Sequence, residues 1–406
     1  MLLLRNSVLP YAWGRTNGLA AIVGSPPSGG PEAELWVGTH PAAPSLVVDD
    51  PEGRTLAQVI ASDPARWLGP ELADKGLTSL PFLLKILAVG SPLSLQAHPS
   101  DDQAQSGFAR ETAAGLPLTA PNRTYRDASA KPEALVALTD TWAICGFREP
   151  EASARLIRAL GSDALRPLAD ALAPGGPEAL HDALAWVLHL EGQRRAVVAD
   201  ALAVVVNLPL IEEAAISDED RKALDWVRQL VETYPGDPTA VAPLLLHVLE
   251  LKPGDAVHLP AGNLHAYLEG AGVEVMAASD NVLRGGLTPK HIDVDELLAI
   301  LHYEPGVPPP PERRTVADGV VVYDSGEDAF ALAVVRPEDE TVEIEPSAVS
   351  LLLAVSGQVT VSGRKDTFVL DGGSAAFVPP GAGPLLVSGP GELWWATMGN
   401  GLPQPR

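Results

Sequence analysis

The stretch from Gly254 to His265 constrains the fold of this chain most, because it specifies a turn, a strand and a return within a short span. Gly254 and Asp255 favour a turn, and the residues from Ala256 to Leu259 have the apolar character of a short strand. The following Pro-Ala-Gly favours a reversal, after which the next strand presents His265 to the interior. We therefore expect antiparallel β-structure around an inward-facing histidine.

This spacing resembles the second motif of the cupins, small β-barrels that often hold a metal ion. The motif consists of Gly254, five residues, Pro260-Ala261-Gly262, two residues and then His265. A histidine in this position is either a metal ligand or a core residue with its hydrogen bonds satisfied. The motif alone does not decide between the two.

Size and composition indicate a globular protein with more than one domain. A chain of 406 residues predicts two or three domains, and a hydrophobic content of 46% is sufficient for their cores. No apolar run approaches the roughly 20 residues that span a bilayer, and the apolar start before Arg5 is too short for a signal peptide. The one cysteine, Cys145, excludes an internal disulfide network and suits a reducing cytosol. We expect a soluble cytoplasmic protein.

The charge of the chain argues against two classes of partner. With 28 Lys and Arg residues against 52 Asp and Glu residues, the formal net charge is -24, which repels nucleic acid and anionic membranes. An anionic substrate would therefore need a local basic pocket.

Two further segments carry candidate ligands. In the stretch from Pro81 to Pro99, Ser94, Gln96 and His98 recur at a period of two and so share one face of a strand. Cupins usually have His-x-His here, and Gln96 substitutes a neutral oxygen donor for the first histidine. Lys131-Pro132-Glu133 precedes an apolar strand-like run, and proline favours extended geometry for Lys131. The Lys131 cation and the Glu133 carboxylate form either part of a functional site or a surface ion pair.

A helical module interrupts the β pattern between about Glu149 and Tyr234. Ser217 to Asp220 predicts a capping box that opens a helix, and Pro235-Gly236 ends it. We assign no chemistry to this module, and interpret Trp226, His181 and His189 as packing or surface residues.

The C-terminal part is predicted to be all-β after a boundary. Val294 to Leu301 predicts a short helix, and residues 305–311, PGVPPPP, form a stiff linker. Beyond the linker, Gly373, five residues and Pro379-Pro380-Gly381 repeat the turn motif, but Pro384 stands where the histidine would be. We interpret this block as a second barrel that has lost its metal.

Five blocks in a fixed order resemble the type I mannose-6-phosphate isomerase family. They are Tyr11-Ala12-Trp13-Gly14, the stretch from Glu34 to Pro41, Pro81 to Pro99, Lys131-Pro132-Glu133, and Gly254 to Lys290 with its core from Met276 to Arg284. The resemblance implies a mainly β fold with an α-helical insertion, in which a cupin-type β-barrel is joined to a degenerate cupin-like β-domain. The expected divisions are a catalytic domain of residues 1–148 and 241–304, a helical insert of 149–240, and a C-terminal domain of 312–406.

The same resemblance implies an enzyme that interconverts mannose 6-phosphate and fructose 6-phosphate with one Zn²⁺ per chain. Its metal ligands would fall on Gln96, His98, Glu133 and His265. Two imidazoles, a carboxylate and an amide oxygen leave a formal charge of about +1 on a divalent ion and open positions for water or sugar. This donor set does not exclude manganese, cobalt or iron.

Aldose-ketose exchange moves a proton between C1 and C2 through a cis-enediol, whose developing negative charge needs a cation. We assign this role to Arg284, with a salt bridge to Asp280 as the alternative. The base is Glu274 or Lys131 by preference, with Asp280 as a further candidate. His258 occupies no motif position and is interpreted as a decoy. Gly285-Gly286 predicts a flexible loop next to Arg284.

The phosphate requires donors away from the metal. Ser94 and Lys85 match positions that the family resemblance places at the phosphate end, and Lys290 is a third candidate. Tyr267 either closes the sugar pocket or packs in the core.

The partner is a small sugar phosphate, and the chain is expected to be a monomer or a weak homo-oligomer. Two other functions stay open, a sugar-phosphate sensor that has lost turnover and a scaffold. The reaction serves both sugar catabolism and the supply of activated mannose (GDP-mannose).

Overall fold

The computed structural model describes residues 1–207, 216–338 and 340–402 of the chain. Within these residues two large antiparallel sheets and a block of helices form the molecule. The prediction of a mainly β chain with helices is confirmed. No helix in the described ranges is long and apolar enough to cross a membrane.

The first part of the chain alternates short strands with short helices. Its elements are β1 (Leu2–Arg5), β2 (Ser7–Leu9), α1 (Gly18–Val23), β3 (Glu34–Val37), β4 (Leu46–Val47), α2 (Leu56–Ser62), α3 (Pro64–Leu68), α4 (Pro70–Asp74), β5 (Phe82–Val89), β6 (Leu95–Ala97), α5 (Asp101–Ala113), β7 (Glu133–Ala137) and β8 (Thr141–Phe147).

The helical module follows, as the composition predicted. It consists of α6 (Pro150–Ala159), α7 (Arg166–Leu172), α8 (Gly176–Leu188), α9 (Gly192–Val205), α10 (Asp218–Thr233) and a 3-10 helix (Pro238–Leu244). The capping box that opens α10 is confirmed, because the Ser217 and Asp220 side chains each bond the other's backbone N–H.

The interpretation of three aromatic residues in this module is confirmed. Trp226 is buried in the core of the helical block, and His181 and His189 are exposed side chains beside Asp182 and Asp295.

The chain then returns to β-structure and continues so to its end. The remaining elements are β9 (Leu246–Leu251), β10 (Ala256–Leu259), β11 (His265–Ala277), β12 (Leu283–Gly286), α11 (Val294–Ile300), β13 (Glu312–Ala317), β14 (Val320–Asp324), β15 (Ala331–Val335), β16 (Val342–Ile344), β17 (Ser350–Ser362), β18 (Thr367–Asp371), β19 (Ala375–Val378), β20 (Leu385–Ser388) and β21 (Gly391–Thr397).

Strand β11 organises the first sheet because it has different partners along its length. Its first residues pair with β6 and β8, and the part from Gly270 onward pairs with β5 and β7. The change of partners coincides with a register shift after Tyr267 and with Gly270 at φ 119°, where a Cβ would lie 2.4 Å from Thr141 Oγ1. One strand therefore brings residues of four others together.

The second sheet contains the C-terminal strands together with two strands from the start of the chain. Strand β1 pairs with β19, Leu3 opposite Ala376, and also with β4. The strand order runs from β13 to β4 here and from β10 to β2 in the first sheet, so neither sheet is closed within the described residues.

Candidate metal centre and active site

Three buried side chains converge where β6, β7 and β11 meet. His98 lies directly after β6, Glu133 begins β7 and His265 begins β11, and none is more than 1% exposed. One potential ligand atom from each lies within 4.8 Å of the others. His98 Nε2 is 3.3 Å from one Glu133 oxygen, and His265 Nε2 is 3.7 Å from the other.

The sheet pairing produces this convergence. His265 stands opposite Gln96 across the β11–β6 pair, and Glu133 stands opposite Leu259, the last residue of β10 before the turn that leads to His265. The turn at Pro260 to Gly262 is held by a hydrogen bond from Gly262 N–H to the carbonyl of His98. The turn motif and the Gln-x-His strand are therefore joined directly.

The residues present fit a divalent metal ion. His98 Nε2 and Glu133 Oε2 are buried and have no hydrogen-bond partner among the described residues, an arrangement that costs free energy unless a ligand completes it. His98 Nδ1 lies 2.7 Å from the carbonyl of Asn281, and His265 Nδ1 lies 3.0 Å from that of Asn263. Each carbonyl fixes the proton on Nδ1 and leaves the Nε2 lone pair facing the centre.

Charge also prepares these groups for a cation. Burial lowers the pKa of His98 to about 4, so its imidazole is neutral at pH 7. Burial acts to raise the pKa of Glu133, but Lys131 and His98 outweigh it and hold that pKa well below its ordinary value. The Lys131 ammonium lies 2.9 Å from the Glu133 carboxylate, and both residues are buried, so this pair is not at the surface.

Gln96 lies beside the three ligands. Its Nε2 is 3.3 Å from His265 Nε2, and rotation of the amide by half a turn would present Oε1 at the same place. The predicted fourth ligand is therefore adjacent to the cluster.

A second group of buried charges lies one strand away. Lys85 on β5 stands opposite Glu274 on β11, and its ammonium is 3.7 Å from that carboxylate and 4.6 Å from the Trp36 ring centre. Burial, then the charge of Glu133, raise the pKa of Glu274 to about 8. Burial opposes the charge on Lys85, but Glu34 and Glu274 outweigh it and raise its pKa.

Tyr267 is buried next to both groups. Burial, then the carboxylates of Glu274 and Glu133, raise its pKa well above the ordinary value. Its hydroxyl has no hydrogen-bond partner of good geometry in the described ranges, so it is free to bond a ligand. Core packing and a role in the pocket, the two alternatives of the sequence analysis, are both compatible with this position.

Arg284 faces a cavity of about 100 Å³ that it shares with Arg123, Arg126 and His291. Burial, then the charge of Arg126, lower its pKa. The alternative of a salt bridge to Asp280 is not seen in the part of the chain described, and Asp280 instead pairs with His40 at 3.0 Å. Lys290 is exposed and close enough to Arg284 for that charge, after burial, to lower the pKa of Lys290.

Two other predicted residues are placed as follows. Ser94 directly precedes β6 and is half-buried on the face of Gln96 and His98. His258 lies outside the cluster and pairs with Glu327 at 2.9 Å, in agreement with its interpretation as a decoy.

The flexible loop predicted at Gly285-Gly286 is wrong. Both glycines belong to β12, which pairs with β6 and has a register shift between Arg284 and Gly286. Gly286 has φ 132°, and a Cβ there would lie 2.1 Å from Thr239 Oγ1. The glycine is needed for close packing and a left-handed backbone rather than for mobility.

The sequence analysis did not identify three residues that contribute to the site. Asn281 is fully buried and bonds the segment from Arg126 to Ser129, Glu34 is buried beside Lys85, and Arg126 shares the cavity with Arg284. Asn281 and Glu34 lie inside the matched blocks, so those blocks held a signal. Arg126 had no such signal in the sequence, because only the fold brings it near Arg284.

Comparison with known proteins finds relatives of one family. Residues 1–150 match the family model described as phosphomannose isomerase type I, catalytic domain. Mannose-6-phosphate isomerase of Escherichia coli K12 is 36% identical over 96% of this chain and 97% of its own length. The human protein of that name is 33% identical over 88% of this chain and 87% of its own length.

Solved structures show the same architecture. A zinc-bound mannose 6-phosphate isomerase and the apo form from Salmonella typhimurium each superpose with a TM-score of 0.87 at 32% identity. Each alignment covers 98% of this chain and 99% of the other. The chain therefore belongs to the type I phosphomannose isomerase family.

Proposed function

We propose that this chain is a metal-dependent isomerase that interconverts mannose 6-phosphate and fructose 6-phosphate. The observation that carries the proposal is the buried cluster of His98, Glu133 and His265, in which His98 Nε2 and Glu133 Oε2 have no hydrogen-bond partner among the described residues. Relatives named mannose-6-phosphate isomerase, and a zinc-bound structure of that name, support the assignment of substrate and metal.

We infer that His98, Glu133, His265 and Gln96 hold one Zn²⁺. When bound, the ion would supply a Lewis acid that polarises sugar oxygens in a site shielded from bulk water. The residues around it orient these ligands. Asn281 and Asn263 fix the imidazole tautomers, and Lys131 holds one Glu133 oxygen.

Glu274 is the proposed proton carrier between C1 and C2. Its carboxyl is buried, and it lies near the Lys85 ammonium and the Tyr267 side chain. A pKa of about 8 lets it hold or release a proton near neutral pH, as a general acid-base requires. Lys131 is a weaker candidate, because its ammonium is 2.9 Å from Glu133 and held by that carboxylate.

Arg284 is the proposed stabiliser of the enediolate. It carries a charge in a half-buried position without a carboxylate partner in the described chain, so its guanidinium is free to meet developing negative charge. Asp280 has its carboxylate engaged by His40, and we propose that it positions the Arg284 segment rather than moving the proton.

The phosphate is proposed to bind donors on both sides of this centre. Ser94 presents a hydroxyl on the ligand-bearing face, and Lys290 adds an exposed ammonium near Arg284. Lys85 contributes positive potential, although Glu274 and Trp36 occupy its immediate surroundings. Tyr267 is proposed to close the sugar pocket.

We further propose that the two sheets are a cupin-type core and a degenerate cupin-like C-terminal domain. The turn at Gly373, with φ 86°, and the strands β18 and β19 on either side support the second. The divisions at residues 148, 240 and 305–311 remain those of the sequence analysis. Cytoplasmic location and a monomer or weak homo-oligomer are proposed on sequence grounds alone.

A coupled assay tests the function. Protein stripped with a chelator should not form fructose 6-phosphate from mannose 6-phosphate, and added zinc should restore the activity. No turnover with zinc, manganese, cobalt or iron, together with retained binding of mannose 6-phosphate, would refute the isomerase and favour the sensor.

A further inference from the structure

A cavity of about 640 Å³ lies between the two sheets. Three arginines line it, Arg15 from the N-terminal segment, Arg313 from β13 and Arg336 after β15, and the buried rings of Tyr323 and Trp394 lie behind its lining. Its volume is in the range of about 300–1,000 Å³ that is typical of small-molecule sites.

Small side chains leave this space open. Ala88 of β5, Ala137 of β7 and Ala271 of β11 line one side, and Ala88 stands opposite Ala271 in the β5–β11 pair. On the other side the rings of Tyr323 and Trp394 stack with a centroid separation of 6.0 Å. These five side chains are almost fully buried, and the apolar surface that a ligand could reach comes from Ile22, Leu138 and Pro253.

The positive charge in the cavity is only partly neutralised. Arg15 pairs with Glu269 at 3.2 Å and Arg336 with Glu392 at 2.7 Å. Arg313 is exposed and forms no ion pair within residues 1–207, 216–338 and 340–402. The second Glu392 oxygen accepts the indole N–H of Trp394, so both oxygens of Glu392 already have partners. In a chain of net charge -24, this is a local excess of guanidinium groups.

The cavity is separate from the metal centre. Ala88 lies three residues beyond Lys85, and Ala137 lies four residues beyond Glu133, on strands that rise about 3.3 Å per residue. The distance along each strand is therefore about 10–13 Å. The two places lie at different points of the same strands.

We propose that this cavity is a second binding site, which takes a small organic phosphate carrying an apolar or aromatic ring. A planar guanidinium group can donate two hydrogen bonds to a pair of phosphate oxygens. Arg313 can do so, and the remaining N–H groups of Arg15 and Arg336 can add further bonds. The ring of the ligand packs against Ile22, Leu138 and Pro253. The site does not depend on isomerase activity.

Isothermal titration of the zinc-loaded protein with phenyl phosphate tests the proposal. The double variant R313Q/R336Q should bind at least about tenfold more weakly than the wild type, or lose one of two binding events if the active site also accepts the probe. The matched control R155Q/R194Q removes the same charge from exposed positions on α6 and α9, and should bind like the wild type.

Thermal unfolding and isomerase activity without phenyl phosphate should be unchanged in both double variants, and R313E alone provides a second variant that keeps the Arg336–Glu392 pair. Equal affinity for phenyl phosphate in the wild type, R313Q/R336Q and R313E would overturn the proposal, because the probe would then bind elsewhere. Absence of binding to the wild type would overturn it as well.

Discussion

The substitution Asn281→Ala removes one buried side chain that connects the metal centre to the segment before Lys131. The Asn281 oxygen accepts the backbone N–H of Arg126 at 2.7 Å, and its amide nitrogen donates to the carbonyls of Asp127 and Ser129, both at 2.9 Å. The same residue's backbone carbonyl accepts from His98 Nδ1. The variant therefore tests whether this hydrogen-bond network holds the His98 imidazole in place.

The expected loss can be estimated from these bonds. Alanine leaves the N–H of Arg126 and the carbonyl of Asp127 without side-chain partners, and each such unsatisfied group costs about 1–3 kcal/mol. We expect the free energy of unfolding to fall by about 2–4 kcal/mol. Because the backbone that orients His98 loses its anchor, zinc affinity should fall by about 10–100-fold, the effect of removing partners behind metal ligands.

Urea unfolding followed by circular dichroism measures the stability, and competition with a chelator measures the zinc affinity. Asn122→Ala is the control, because Asn122 is exposed in the same segment, and its effect should stay within about 0.5 kcal/mol. If Asn281→Ala matched the control in both measurements, the proposed role of the network would be wrong. Asn281→Asp should also be destabilised, since it sets a carboxylate oxygen against two carbonyls.

Three further predictions concern other parts of the molecule. His265→Ala should lose stoichiometric zinc in elemental analysis, whereas His258→Ala should retain it, and equal zinc contents would contradict the ligand assignment. Arg284→Ala should lower kcat/KM by about 10²–10³-fold in the coupled assay, as expected for loss of a charge that acts on the transition state, and an unchanged value would remove Arg284 from the mechanism. Asp220 pairs with Arg148. Burial acts to raise the pKa of Asp220, but its hydrogen bonds with Arg148 and Ser217 outweigh burial and lower that pKa. The pair therefore stabilises the fold above the unfolded-state pKa of about 3.9, and this stabilisation is lost as the pH falls through the lower folded-state pKa. Asp220→Asn should therefore be less stable than the wild type at pH 7 in urea unfolding, with a difference that shrinks below about pH 4, and a difference independent of pH would contradict the assignment.

Local sequence patterns predicted the elements that depend on neighbouring residues. Strand β10 and the turn after it have the predicted bounds, helix α10 begins where its capping residues indicated, and helix α11 begins at Val294 as predicted. These features are set by hydrogen bonds and dihedral preferences within a few residues. The partners of β1 were not predicted, because pairing of Leu3 with Ala376 depends on contacts far apart in the chain.

The residues that could hold a metal ion were predictable from the sequence, whereas the residues that surround them were less so. His98, Glu133 and His265 each came from a separate motif, and the fold brings them together as expected. Gly286 was misinterpreted because sequence shows a glycine's freedom but not the Thr239 side chain that excludes a Cβ. Arg126 was missed because its charge reaches Arg284 only through the fold.

The buried charges give a reason for the composition of the whole site. Lys85 and Lys131 supply two buried cations, and Glu34, Glu133 and Glu274 supply three buried carboxyl groups. With a pKa of about 8, Glu274 is mostly protonated at pH 7, so the two cations balance the two remaining carboxylates and His98 stays neutral. A divalent metal ion then adds two positive charges that favour ionised Glu274, and a phosphate ester carries about -1.5 to -2 at pH 7. The metal-loaded site is therefore net positive even with Glu274 ionised, which explains how a chain of net charge -24 can accept an anionic substrate.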